Sequence, residues 1–287
     1  MHQKIRQLGS TLIELVMAIA AIGVLGVVAS IFIRAPIDSY FASARRAALT
    51  DEADTAVRRM ARDIRKALPN SIRTSWLNIS SNGQCFEFIP TRTGGRYRAE
   101  LSSLGEGDTL DFVAADGSFN MLGDNGALPA NQQTQLNDVV AVYNLGISGD
   151  DAYIGDNTSQ VSQVSQVSSV NGGPETNLSI ASKLFPQALG GKRFHVIPGD
   201  ENVVAYVCSS DGKLRRTVRT FTNAVCPATG PILASHVGSC NFVYSGSDLE
   251  RNEPMQLSLT LTNSGETVNL YQQIYVNNTP INSIRWN

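Results

Sequence analysis

The run that decides the fold is Gly9-Ser10-Thr11-Leu12-Ile13-Glu14-Leu15-Val16-Met17-Ala18-Ile19-Ala20-Ala21-Ile22-Gly23-Val24-Leu25-Gly26-Val27-Val28-Ala29-Ser30-Ile31-Phe32-Ile33. From Leu15 to Ile33 it holds 19 residues without a formal charge. As a helix that is roughly 28 Å, against about 30 Å of hydrocarbon in a bilayer, so the segment is long enough to span. It also exceeds the usual apolar core of a secretory signal. A polar leader, Met1–Gly9, carries Lys4 and Arg6 ahead of it. Basic residues there favour a cytoplasmic N-terminus, but Arg34, Arg45 and Arg46 follow closely, so charge bias alone leaves orientation open.

Glu14 is the informative residue. A carboxylate near the bilayer centre costs about 2.5–3.5 kcal/mol on insertion scales and less near the interface. In a generic membrane anchor, an acid at this position is explained by solvation at headgroup level. The whole string Gly9–Val16, however, resembles the processing signal of type IV prepilins and type II secretion pseudopilins. There a short basic leader ends in Gly, and an apolar helix follows with Glu five residues past the cut. The resemblance implies that a membrane-embedded prepilin peptidase cleaves between Gly9 and Ser10 and methylates the amino group of Ser10. Family members usually carry a bulky apolar residue first, where this chain has Ser10. Cleavage would also create a cation four residues from Glu14. In the family the proposed pairing joins that amino group to the glutamate of a neighbouring subunit, and an ion pair in a filament core of low dielectric would set the register of assembly.

Beyond the apolar run a helical period continues. Ile37, Tyr40, Phe41, Ala44 and Ala48 share one face, followed by Val57, Met60, Ile64 and Leu68. Asp54/Arg58 and Arg59/Asp63 have the spacing of surface pairs, and Pro69-Asn70-Ser71 marks a stop. Residues 10–68 therefore read as about 88 Å of helix. They divide into a transmembrane or filament-core part (10–36) and an amphipathic stem (37–68) packed on the head. Pro36 removes a backbone hydrogen bond and is expected to kink the helix. Gly23 and Gly26 lower its local propensity, although both residue types are common in membrane helices.

Residues 69–287 change texture. Alternating runs appear at Cys85–Ile89, Asp108–Ala114, Asp138–Tyr143, Asn202–Cys208, Lys213–Phe221, Gln256–Thr262 and Thr267–Val276, separated by Gly, Asn and Asp clusters. The fold class expected is α+β, a long N-terminal helix on an antiparallel β-rich head. The Ser-Gln-Val triplets from Ser159 to Val167 read as a solvated loop or an irregular edge strand within a soft insertion, 150–186. The stretches Asp138–Gly146, Arg193–Cys208 and Gln272–Pro280 resemble the head of minor pilins from MSHA-type pili. That resemblance implies a minor subunit that primes or caps a pilus. The partners implied are prepilin peptidase, major and other minor pilins, and an inner-membrane assembly platform. The location implied is the bacterial inner membrane with the head in the periplasm, then the pilus and cell surface.

Four cysteines, all in the head, suit an oxidising compartment. Cys208 and Cys226 bracket the hairpin at Asp211-Gly212 and are expected to pair, leaving Cys85 with Cys240. No C-x-x-C spacing points to zinc or redox chemistry. Of three histidines, His195 and His236 lie in strand or loop context without a ligand or catalytic pattern. No nucleophile elbow, phosphate loop or nucleotide fingerprint occurs, so no enzyme activity and no cofactor are expected. Asp150, Asp151, Asp156 and Asn157 offer hard oxygens, but their order is not that of an EF-hand, so no metal is placed there.

Hydrophobic residues make up 42% and charged residues 17% of 287, which excludes a disordered polyelectrolyte. The formal charge of −2 leaves no electrostatic footprint for nucleic acid. Three functions fit: a structural minor pilin, a filament-tip adhesin or cargo-binding subunit, and a membrane-anchored periplasmic enzyme with an incidental leader.

Overall fold

The computed structural model describes residues 11–74, 84–170, 173–186, 190–221, 226–227, 229–244 and 254–276. A single helix, α1 (Leu12–Ile64), 53 residues long, leads the chain. It runs unbroken through Pro36, whose missing N–H removes one hydrogen bond without dividing the helix. It ends four residues before Leu68. The Lys66 and Ala67 amides turn back to the Asp63 and Ile64 carbonyls, and the Leu68 amide then bonds the Ile89 carbonyl. Pairing with the head, and not Pro69, terminates the helix.

Three antiparallel sheets follow. The first has order β1-β2-β9-β10-β11, from β1 (Arg73–Thr74), β2 (Gln84–Phe88), β9 (Val203–Ser209), β10 (Lys213–Arg219) and β11 (Ile232–Ala234). The second has order β3-β8-β5-β6-β7-β4, from β3 (Thr93–Arg96), β4 (Asp116–Leu122), β5 (Val139–Ala141), β6 (Thr158–Val170), β7 (Gly173–Lys183) and β8 (Arg193–Ile197). It is built entirely from chain lying between β2 and β9, neighbouring strands of the first sheet. The third, β12-β13-β14, comprises β12 (Val237–Val243), β13 (Pro254–Asn263) and β14 (Glu266–Tyr275).

Most expected strands form. Asp108–Ala114 does not, being irregular chain that precedes β4. Of the two readings of the soft insertion, the loop is overturned and the irregular edge strand holds for most of the triplet run. β6 and β7 are the longest strands of their sheet, β5 pairs only with residues 158–160 of β6, and beyond that β6 pairs with β7 alone, with shifts of register. A triplet repeat should throw successive valines to opposite faces of a pleated strand. Here the register slips between Val161 and Gln163, so that Val161 opposes Ile180 and Val164 opposes Leu178. The bulge converts a period of three into a period of two. Val161 is thereby buried with Leu178 and Ile180, and Val164 packs beside them.

The main core joins α1 to the first and third sheets. Leu49, Ala53, Ala56, Val57, Met60, Ala61 and Ile64 enter it, with Phe86, Tyr206, Met255, Leu257, Leu259 and Leu261 opposite. Small residues at positions 53, 56 and 61 let the helix backbone approach the sheets. Of the stem face read from sequence, only Val57, Met60 and Ile64 lie on this contact. Ile37, Tyr40, Phe41, Ala44 and Ala48 are exposed, because the head meets the helix only from about Leu49 onward.

Candidate assembly surface

The part of α1 that the head leaves uncovered is also its most apolar part. Its large apolar residues from Leu12 to Phe41 stand in the open, and an 18-residue window of mean hydropathy 2.7 has no buried residue. The helix is long and apolar enough to cross a membrane. At its start, Thr11 is the N-cap and Glu14 the third helical residue. The Thr11 amide donates to Glu14 Oε2 at 3.3 Å. A carboxylate there meets free helix N–H groups and the positive end of the dipole. Glu14 is exposed, so its charge is held at the helix terminus and remains open to a partner from outside the chain. Gly9 and Ser10, the expected cleavage and methylation positions, lie outside the described residues.

A latch ties the other end of α1 to the head. Asp63 Oδ2 accepts from the Tyr206 hydroxyl at 2.7 Å and from Arg216 Nε at 2.8 Å. Arg216 also grips Glu201 through both terminal nitrogens, at 2.7 and 3.0 Å. Burial, reinforced by Asp63, pushes the Tyr206 hydroxyl well above its ordinary pKa, so it donates throughout the physiological range. Nearer the uncovered part of α1, Arg46 pairs with Glu266 at 2.9 Å. The Ser235 amide bonds Glu52. These contacts orient the uncovered helix relative to the sheets. Spacing within the helix assigns Asp63 to Arg59, whereas its ion pair is with Arg216, and partners about 140 and 150 residues away leave no local signal.

The four cysteines are all bonded, with a pairing different from the expected one: Cys85–Cys226 and Cys208–Cys240, at Cα separations of 6.7 and 6.5 Å. Within the hairpin, Cys208 is opposite Leu214, so the turn never brings Cys226 to it. Cys226 instead returns over the outer face of the first sheet, beside Cys85, Ala205 and Val207. Cys208 projects into the core on the opposite face, where Cys240 of β12 packs.

Two of the four candidate donors in the acidic loop, Asp151 and Asp156, are engaged by the fold itself. Asp151 binds Arg73 at 2.6 Å and accepts the Tyr153 amide at 2.9 Å, while Asp156 accepts the Gly149 amide at 2.7 Å. Burial, then the nearby Asp156, raises the Asp150 carboxyl pKa. Among the described residues no three His, Cys, Asp or Glu side chains converge as metal ligands. His195 lies on β8 between Gly94 and Ala141, and burial followed by the charge of Arg193 lowers its pKa to about 4. His236 stands 3.7 Å from Glu52.

Sequence reasoning also missed a buried ion pair. Arg219 donates to Glu87 at 2.7 and 2.9 Å with both side chains almost wholly buried, joining β10 to β2 across β9. Tyr153 packs between this pair and Arg73, whose guanidinium lies 3.5 Å from the ring centroid. Comparison with protein-family models, with curated proteins and with solved structures finds no match.

Proposed function

We propose that this chain is a minor type IV pilin of pseudopilin-like build, carried into a filament by its uncovered apolar helix. One observation carries the reading: a single helix packs into the head only from about Leu49 to Ile64, while its large apolar residues from Leu12 to Phe41 are exposed. An uncovered surface of that size requires lipid or other apolar helices around it. Glu14 at its tip supplies the polar feature that a purely anchoring helix would not need.

In this scheme prepilin peptidase cuts after Gly9 and methylates Ser10. The apolar helix then leaves the inner membrane for the filament core, and Glu14 pairs with the new amino group of a neighbour. Major and other minor pilins and the inner-membrane assembly platform are the partners. The two disulfides support a head exposed to an oxidising compartment, the periplasm, before it reaches the cell surface. Among minor pilins, the head resembles those of MSHA-type pili, for which the role is to prime or cap the fibre.

The test is mass spectrometry of the protein recovered from membranes. A mature chain that starts at N-methylated Ser10 supports the proposal. One that still starts at Met1, or that starts beyond Ile33, defeats it. Loss of all filaments on deletion indicates priming. Loss of adhesion or secretion with filaments intact indicates a tip adhesin or cargo-binding subunit.

A further inference from the structure

The third sheet ends in an edge that is long, regular and, among the described residues, unpaired. β13 and β14 pair without a bulge through ten consecutive positions, from Pro254/Tyr275 to Asn263/Glu266. The connecting turn has Ser264 at φ 49° and Gly265 at φ 85°, both left-handed as a two-residue type I′ hairpin requires. In such a hairpin the closing pair, Asn263/Glu266, exchanges both backbone hydrogen bonds, and bonded and non-bonded pairs alternate from there. The backbone N–H and C=O groups of Thr267, Asn269, Tyr271, Gln273 and Tyr275 therefore point away from β13. No further strand pairs with β14 among the described residues. Pro254 falls opposite Tyr275 at a non-bonded position, where its missing N–H costs nothing, which agrees with this phase.

Natural edges are usually blunted by lysine, proline, a bulge or a covering element. β14 has none of the first three between Thr267 and Tyr275. α1 flanks it, running from Arg46 on Glu266 to a groove of about 720 Å³ bounded by Arg58, Arg62 and Arg65 on the helix and by Leu270, Tyr271 and Gln272 on the strand. Arg58 is paired with Asp54. Arg62 and Arg65 have no ion pair among the described residues and are exposed. With Asp54 also lining the groove, the helix wall holds three arginines against one carboxylate and is net basic, while the strand wall offers only backbone and neutral side chains. Along the helix axis, Arg58 and Arg62 are about 6 Å apart. Alternate side chains of a strand are about 6.7 Å apart.

The geometry points to β14 as a docking edge for an extended acidic segment of another protein, which adds as a fourth strand and sets alternate carboxylates against Arg58, Arg62 and Arg65. Backbone pairing supplies the affinity and the arginine stripe supplies the selection, the general division of labour in strand addition. This inference rests on the strand register and the helix charges, and it holds whether or not the chain is a pilin.

The test uses the full chain in detergent and a fluorescein-labelled peptide of alternating Glu and Val, with a Lys/Val peptide as the comparison. The expected result is saturable anisotropy with the acidic peptide only, weakened about tenfold by the double change Arg62→Glu/Arg65→Glu. Bound peptide slows hydrogen exchange at the Tyr271 and Gln273 amides. Tyr271→Pro, which removes an outward N–H of an edge strand and leaves the β13 ladder whole, abolishes binding. Exchange on the unmodified protein decides the matter if that variant does not fold. Equal binding of the Lys/Val peptide, or no slowing at Tyr271 and Gln273, overturns the inference. So does protection of these amides without peptide: if it rises with protein concentration the occupant is a second copy, and if it does not the occupant is the chain's own segment 277–287.

Discussion

Cys85 and Cys208 occupy adjacent antiparallel strands one position out of register, Cys85 opposite Val207 and Cys208 opposite Gln84, so their side chains leave opposite faces of the same sheet. That offset determines both disulfides. Cys85 can reach only what crosses the outer face, and Cys208 only what lies in the core beneath α1. Non-reducing peptide mapping is expected to recover Cys85 linked to Cys226 and Cys208 linked to Cys240. A fragment joining Cys208 to Cys226 contradicts this register. In the chain-entropy account, the loops spanning 141 and 32 residues correspond to stabilisations of roughly 5 and 4 kcal/mol, taken singly.

The Glu87–Arg219 pair is buried and hydrogen-bonded at both ends, so removing one partner strands the other. Arg219→Met is expected to destabilise the head by about 3–5 kcal/mol. The double change Glu87→Leu/Arg219→Met should recover most of that loss, because no charge is then left in the interior. Chemical denaturation of the single and double variants measures both quantities, and equal stability of the two contradicts the account.

Two apolar positions on α1 separate packing from exposure. Met60 is fully buried against the sheets, and Met60→Ala is expected to cost the head about 2–5 kcal/mol. Phe41 is 53% exposed and touches no part of the main core, so Phe41→Ala should leave the melting temperature of the head unchanged. A matching loss at Phe41 would mean that the head covers more of the helix than described.

His195 makes stability depend on pH in one direction. Its pKa falls from about 6.5 when unfolded to about 4 when folded, so the unfolded chain binds the proton more readily. The contribution is complete above pH 6.5 and is lost as pH falls through the window down to about 4. Melting temperatures measured between pH 7 and pH 4 should decline, and His195→Gln should flatten that part of the decline.

Glu14 tests the proposed assembly step apart from folding. Glu14→Ala or Glu14→Val is expected to leave cleavage after Gly9 and head stability largely intact while impairing incorporation. Normal recovery of either variant in sheared filaments contradicts the pairing with a neighbour's amino group.

The amino-acid order by itself determined the long apolar helix, its acid at position 14, the antiparallel character of the head, and the hairpins at Gly212 and Gly265. Each of these is written in neighbours: charge-free length, a period of two, a turn that needs left-handed residues. Only the tertiary structure decided where α1 becomes buried, which cysteines meet, and that the Ser-Gln-Val run is paired strand and not loop. The last depends on a one-residue bulge opposite β7. The latch on Asp63 and the pair Glu87–Arg219 likewise join residues more than 130 positions apart. Such contacts follow from which face of a strand a side chain leaves and which sheet it then meets. A one-residue change of register inverts the first, and no local pattern encodes the second.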